Sequence, residues 1–525
     1  MTHSLADHSV ENPHLATLPR PGNSGRVQSA RWAEDVLPLA TILVLTLVNN
    51  WVLVSHFYGY VYGFHDLALT TDWFTNALYQ SKPFWVTQYA LNHLSIHFTP
   101  TLLLLIPLYR LSESSYLLLF LGTLAIAVSL YLGHRWWMAL SLDPSQSVWL
   151  RSTVSAAMIL FIGLNLFTKT ILDSAHIELF YLPLFLGFVL CLRSGRKTRW
   201  AALFFLLALG IREDAGFYLG FQTLALLFMP GQADPRRTRW TLLVFSGCAL
   251  LYVIAAVGII PPHFFGVHDA GVDRGWSEWG TGWAEVATNI LTSPKRVLQQ
   301  IAHSSFARLN RSFAFLPWLN PPVAALVNTP GVPLYAASAP DKRYLWFYNG
   351  SFLLAGFILA FYAGCFQVLR WSRAVWTRMP ALQRGRQPVL GLAMAALVVV
   401  SLVNFRATVE APDGYAPKWN DAALQNAAFI QECLKRCRLP KVAADFRHIV
   451  FVPNRVERYL LDRLILADGF FIFDPAQGIP EDATADNQME HSADGSTFIL
   501  EAQTNGRRFF VRKGSDCGRL SSRPP

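Results

Sequence analysis

The chain has 525 residues, 53% of them hydrophobic, 14% aromatic and only 15% charged, with a mean hydropathy of +0.30. Soluble proteins carry about a quarter charged residues, so this balance excludes a disordered chain and a coiled coil and points to a polytopic membrane protein with room for one soluble domain. The net charge of +10 (44 Lys and Arg against 34 Asp and Glu) falls in short clusters between apolar stretches. The positive-inside rule accounts for that pattern without a nucleic-acid partner.

Residues 1–35 are polar and rich in Pro, Asn and His, which predicts a cytoplasmic tail with no cleavable signal. Apolar runs near the length needed to cross a bilayer predict nine spans at 36–56, 115–138, 150–170, 178–193, 199–211, 214–229, 240–260, 347–369 and 388–405. With the N-terminus inside, nine spans place every basic cluster in the cytoplasm. These clusters are Arg20, Arg26 and Arg31; Arg135 and Arg151; Arg193, Arg196, Lys197 and Arg199; Arg236, Arg237 and Arg239; and Arg370 to Arg386. Shifting the count by one hairpin scatters them. The 199–211 and 214–229 runs are short and meet at Ile-Arg-Glu-Asp (211–214), which predicts a hairpin turning inside the protein beside a cavity.

The same topology leaves three regions outside: loop 57–114, loop 261–346 and the stretch from 406 to 525. In the first, the 99–111 run is too short to span and reads as an interfacial helix. In the second, an amphipathic helix is predicted near 283–304, among prolines at 317, 321, 322, 330, 333 and 340. The third returns to soluble-protein composition. Apolar segments at 441–445, 449–453 and 469–473 predict short buried strands, and periodicity at 418–436 and 454–465 predicts helices, giving a small α/β domain. The six cysteines show no metal-finger spacing. Cys433 and Cys437, one helical turn apart, read as ordinary thiols, with metal binding or a bridge as alternatives.

Candidate chemistry lies where acidic residues and histidines meet one membrane face. Loop 57–114 holds Asp66, Asp72, His93 and His97; the junction of the third and fourth spans holds Asp173, His176 and Glu178; the 211–214 turn holds Arg212, Glu213 and Asp214. A charge in hydrocarbon costs about 2.5–3.5 kcal/mol at mid-helix, so such groups face cavities and carry function by default. Each also has a plain reading. Asp66, Asp72 and Asp173 can cap helices, His93 and His97 can be interfacial aromatics instead of a metal pair, and Glu213 and Asp214 can simply pair with Arg212. Their convergence favours a carboxylate-centred site that acts as a general base, coordinates a divalent ion, or binds a proton or cation for transport. No Walker, dinucleotide-binding, nucleophile-elbow or His-Glu-x-x-His pattern is present.

These same residues carry a resemblance to the membrane-protein family called domain of unknown function 2079. The family in turn resembles the GT-C class of polyprenyl-phosphate-sugar-dependent glycosyltransferases. The matching stretches are Phe64-His65-Asp66-Leu67-Ala68-Leu69, His97-Phe98-Thr99-Pro100, Ile106-Pro107-Leu108-Tyr109-Arg110-Leu111, His176-Ile177-Glu178, Arg212-Glu213-Asp214 and the segment Pro440 to Arg455. Together they cover roughly 36–470. Ala175 and Ile177 stand where the family has Phe and Pro, and Asp72-Trp73 lacks the family's amide.

The resemblance implies a GT-C-like transmembrane domain over 36–405 and an extracytoplasmic α/β domain over 406–525, in the plasma membrane. It implies that Asp66, just after the first span, is the general base or orients the acceptor, with Asp72 as a second catalytic carboxylate. Arg212 would neutralise the polyprenyl phosphate, while His93, His97, Asp173, His176, Glu178, Glu213 and Asp214 line the substrate cavity. His97, His176 and Glu178 would line the cavity or hold a divalent cation, Mg or Mn. The implied partners are a polyprenyl-phosphate-linked sugar, membrane lipids and an envelope glycan, lipid or protein acceptor. An ion-coupled transporter or lipid flippase, and a non-catalytic envelope assembly protein, are the competing readings.

Overall fold

The computed structural model describes residues 24–59, 65–87, 91–95, 97–112, 114–140, 148–173, 176–193, 197–229, 235–265, 272–345, 350–378, 396–403, 406, 420–445, 448–453, 456–460, 467–473, 488–491, 496–504, 507–515 and 517. Among the described residues, four helices contain stretches long and apolar enough to cross a membrane: Glu34–Tyr58, Tyr116–Ala139, Thr238–Gly258 and Ser351–Ser372. A fifth candidate is the pair Val148–Gly163 and Leu166–Leu172, bent by 58°. The bend sits at Asn165, whose Oδ1 accepts the Phe167 N–H (3.0 Å) while its Nδ2 donates to the Ser312 carbonyl (3.0 Å). The Thr168 hydroxyl donates to the Ile162 carbonyl (2.8 Å). Side chains thus satisfy backbone groups that a broken helix would otherwise leave unpaired in an apolar setting.

The remaining expected spans differ in length. Tyr181–Arg193, Thr198–Leu209 and Ala215–Ala225 are short helices. At 1.5 Å per residue a 12-residue helix reaches only about 18 Å, against roughly 30 Å of hydrocarbon. The expected 388–405 span is described only at 396–403, where it is helical. Burial ranks the spans: 78% of the Ser351–Ser372 window is buried but only 22% of the Thr238–Gly258 window. The first is the central helix of the bundle. The second lies at its edge, exposing Leu243, Val244, Leu251 and Ile254.

Gly364 lets the central helix lie against the turn Leu316–Leu319, because a Cβ there would overlap the Leu316 carbonyl. We expect Gly364→Ala to destabilise the protein by about 1–3 kcal/mol through overpacking, read as a lower thermal midpoint in detergent. Gly247→Ala, inside the helix Pro235–Gly258, meets nothing within 4 Å; it is the control and should not lower the midpoint, since alanine favours the helix over glycine. At the N-terminal end of the first helix, Ser24–Gly59, Asp35 pairs with His134 (2.9 Å) and Arg135 (3.4 Å), and Glu34 pairs with Arg151. Arg135 and Arg151 therefore also tie helices together.

The 272–345 stretch is helical in short pieces. The expected amphipathic helix at 283–304 is two helices, Trp283–Thr292 and Pro294–Ala302; Pro294 has no N–H to continue the first and bars its predecessor from helical geometry. Each proline expected there sits in the first turn of a helical piece, where its missing donor costs nothing. The 99–111 run is helical over Pro100–Tyr109, too short to cross.

The C-terminal region opens with the helix Asp421–Arg436, capped by the Asn420 side chain accepting from the Ala422 and Ala423 N–H groups. Its strands are β3 (Lys441–Ala444), β4 (Glu457–Leu460), β5 (Gly469–Ile472), β6 (Gln488–His491), β7 (Ser496–Thr504) and β8 (Arg507–Arg512), after a small hairpin of β1 (Trp85–Val86) and β2 (Leu91–Asn92). The sheet runs β4-β3-β5-β8-β7-β6, parallel between β3 and its neighbours and antiparallel elsewhere.

Two local expectations are corrected. The segment 449–453 is not a strand; Ile449–Phe451 is a 3₁₀ turn. Within 454–465, Glu457–Leu460 is strand β4 instead of helix, because parallel pairing with β3 outweighs local periodicity. Cys437 is also no ordinary thiol: it is bonded to Cys517, with Cα atoms 4.3 Å apart. Cys433 stays free and buried.

Sheet and first loop share one core. Phe57, Leu67, Trp73, Phe74 and Tyr109 cluster with Ile430, Cys433, Val442, Phe451 and Phe471. Phe451 meets Phe57 edge-on (5.0 Å between ring centroids) and stacks on Tyr58 (5.8 Å) at the end of the first helix. Fully buried Arg458 of β4 donates to the Val452 carbonyl (2.8 Å) and bonds the Tyr109 hydroxyl. The sheet is thereby fixed against the loop that carries the candidate residues.

Candidate functional site

The site forms where short helices end. Thr198–Leu209 stops at Gly210 and Ala215–Ala225 begins after Asp214, so Ile211, Arg212 and Glu213 occupy a turn. The Pro100–Leu105 turn docks there: the Thr101 N–H donates to the Gly210 carbonyl (2.9 Å) and its hydroxyl to the Leu207 carbonyl (2.7 Å). Gly210 is needed for this approach, because a Cβ would run into the Thr101 side chain. That docking sets His97 and Phe98 directly against Glu213.

Three segments then join through side chains. His97 Nδ1 lies 2.9 Å from Glu213 Oε1, and the Phe98 N–H donates to Glu213 Oε2 at 3.0 Å. Arg212 donates through Nε to Asp214 Oδ1 (2.6 Å), through one terminal nitrogen to Asp214 Oδ2 (2.5 Å) and through the other to Glu178 Oε1 (2.6 Å). Glu178 is fully buried, and its second oxygen contacts His176 Nδ1. Phe352 of the central helix lies under the Arg212 guanidinium at 5.0 Å. His93 stacks on Trp73 (centroids 5.9 Å apart) and lies 5.8 Å from the His97 ring.

Electrostatics follow from this packing. Burial pushes the His93 imidazole down to about 3, helped by His97 and opposed by Glu213. Burial also lowers His176 well below the usual imidazole range, with Arg212, His97 and His93 adding to the effect. Both rings are therefore neutral near pH 7. Burial alone would raise Glu213, but His97, Arg212 and the backbone bond outweigh it and hold the carboxyl at about 2. One guanidinium faces three carboxyl groups, those of Glu178, Glu213 and Asp214.

The structure thus brings His93, His97, His176, Glu178, Arg212, Glu213 and Asp214 together. Asp72 is fully buried in the helix His65–Tyr79 and accepts the Thr87 N–H (2.6 Å), which ties that helix to the end of β1. Asp66 is the second residue of that helix and Asp173 ends the helix Leu166–Asp173; both side chains lie outside the described residues. Sequence pattern alone does not single out Trp73 or Phe352 as site residues. Trp73 carried a faint signal, since aromatic rings beside intramembrane histidines are natural stacking partners. Among the described residues, no three His, Cys, Asp or Glu side chains are arranged to hold a metal.

Buried imidazoles, fixed carboxylates and one forked guanidinium can move protons and hold an anionic or hydroxylated ligand. No curated protein matches the sequence. The family model of the predicted membrane proteins known as domain of unknown function 2079 matches residues 56–462, so the chain belongs to that family.

Proposed function

We propose that the chain is a membrane glycosyltransferase that moves a sugar from a polyprenyl-phosphate carrier to an envelope acceptor. The reading takes nine spans with the N-terminus inside, and places the cluster and the C-terminal domain on the outer side of the plasma membrane. The observation that carries it is the convergence of His97, Glu178 and Arg212 from three distant segments at the ends of short apolar helices, beside the sheet. The Cys437–Cys517 bond supports the orientation, because disulfides persist in oxidising compartments and not in the cytosol.

In this reading Arg212, its fork pre-set by Asp214 and Glu178, receives the carrier phosphate. The 12%-exposed guanidinium is held more openly on the Asp214 side, whose carboxylate is 34% exposed. A phosphate displaces Asp214 and leaves the buried Glu178 contact in place. The acceptor hydroxyl attacks the anomeric carbon, the bond from that carbon to the phosphate oxygen breaks, and the polyprenyl phosphate leaves with the electron pair. Asp66 serves as general base or as the acceptor's anchor. The grouping of three carboxyl groups around one guanidinium favours a second reading, an ion-coupled transporter using the same cluster.

Native mass spectrometry of the purified protein with a panel of polyprenyl phosphates and their hexose and pentose conjugates tests the two. We expect the wild type to bind and consume one conjugate, Asp66→Asn to bind it and consume far less, and Arg212→Ala to lose binding. No binding by any member of the panel sinks the transferase reading.

A further inference from the structure

Resting on the transferase reading, we propose that His97 is the group that takes the acceptor proton, with Glu213 as its positioning residue and Asp66 as the acceptor's anchor. The argument is geometric. Glu213 Oε1 holds His97 Nδ1 at 2.9 Å, and its other oxygen is tied by the Phe98 N–H at 3.0 Å. The carboxylate is locked from both sides, so it fixes both the ring plane and the tautomer. With Nδ1–H donating to Glu213, Nε2 is the basic nitrogen. A general base needs this: an imidazole whose free nitrogen is oriented by a carboxylate that also steadies the imidazolium once formed.

Exposure separates His97 from the other histidines. Its side chain is 34% exposed while Glu213 is 18% exposed, so the base meets the site and its partner lies behind it. His176 is engaged with Glu178, and His93 is buried against Trp73. Packing therefore leaves His97 as the ring of the three that is open to the site. The titratable groups recorded against it are Glu213 of the turn, His93 of its own segment and His176 of the junction before Ile177; Arg212 and Tyr252 act on its partner Glu213.

The step balances without another reagent. The acceptor O–H bond breaks and its proton goes to His97 Nε2. The oxygen bonds the anomeric carbon, and the carbon–oxygen bond to the phosphate breaks with its electron pair leaving on the polyprenyl phosphate. The imidazolium, paired with Glu213, then returns its proton to solvent.

Donor consumption by the full-length protein, measured against pH with the polyprenyl-phosphate conjugate that the wild type turns over, tests the assignment. His97→Gln should lower turnover by roughly 10²–10⁴-fold and remove the acidic limb of the profile, while native mass spectrometry still finds the polyprenyl phosphate bound. Glu213→Gln should lose less, through a lower kcat with polyprenyl phosphate binding unchanged, as expected of a residue that only orients the ring. Asp66→Asn should raise the acceptor KM and keep the limb. An active wild type whose limb survives in His97→Gln and disappears in Asp66→Asn overturns the His97 assignment alone. A wild type that consumes no conjugate overturns the transferase reading, and the assignment falls with it.

Discussion

Arg212→Met should unfold at a markedly lower temperature than the wild type, by an amount corresponding to about 3–5 kcal/mol. The substitution keeps the bulk of the side chain over Phe352 and removes the guanidinium. Glu178 is then left fully buried with a charge its environment no longer balances. Breaking one side of a desolvated pair costs more than the pair itself contributes, because the surviving charge has lost both water and partner. Two further variants separate this from general damage. Arg212→Met with Glu178→Gln should recover a large part of the loss, since no orphaned carboxylate remains. Arg212→Lys should recover little, because an ammonium cannot span Asp214 with two parallel bonds and reach Glu178 as well. Thermal unfolding of the four proteins in detergent gives the answer. A wild-type midpoint for Arg212→Met would mean that Glu178 and Arg212 are solvated and their contact is incidental.

The same cluster shows how far sequence alone reaches. Apolar length locates the four long helices and the bent pair that can cross a membrane, out of nine spans expected, and charge in apolar surroundings singles out 93–97, 176–178 and 212–214, because hydrophobicity and burial cost are properties of single segments. Partner choice is not. Arg212 and Asp214 are neighbours in sequence, and their pairing was open to local reasoning. Glu213, between them, turns away to His97, 116 residues earlier in the chain. Only the docking of Thr101 on Gly210 brings those two together. The bend at Asn165 was hidden for the same reason, since what stabilises it is Ser312. In the C-terminal region β3 and β5 were legible as short apolar runs between turn residues. β4 was not, because the sequence from Glu457 to Leu460 satisfies a helical pattern as well as a strand, and its pairing partner at 441–444 decides. The β7–β8 pair went unseen although Phe498 and Phe509 are both fully buried; scattered Arg and Glu between them blurred the alternation.

Cys517→Ser should cost about 4–5 kcal/mol if loop entropy alone acts, and measured losses of this kind run from about 2 to 5. The bond to Cys437 closes a loop with a sequence separation of 80. That loop contains the whole sheet from β3 to β8, so opening it frees the unfolded domain more than the loss of a short staple would. Cys437 is fully buried, in the core shared by the sheet and the first loop. A serine there adds an unpaired hydroxyl, which makes Cys517→Ser the cleaner variant. Urea titration of the detergent-solubilised protein, followed through the C-terminal sheet, measures the loss, and reducing agent applied to the wild type should reproduce it. The same bond bears on which side of the membrane the sheet occupies. Peptide mapping of protein alkylated inside intact cells, before any reduction, should find Cys437 and Cys517 joined and Cys248, an exposed thiol on the Pro235–Gly258 helix, unbridged. Free Cys437 and Cys517 under those conditions would put the sheet in a reducing compartment. That would invert the proposed orientation of the cluster with it, because the shared core binds sheet and loop to the same end of the helices.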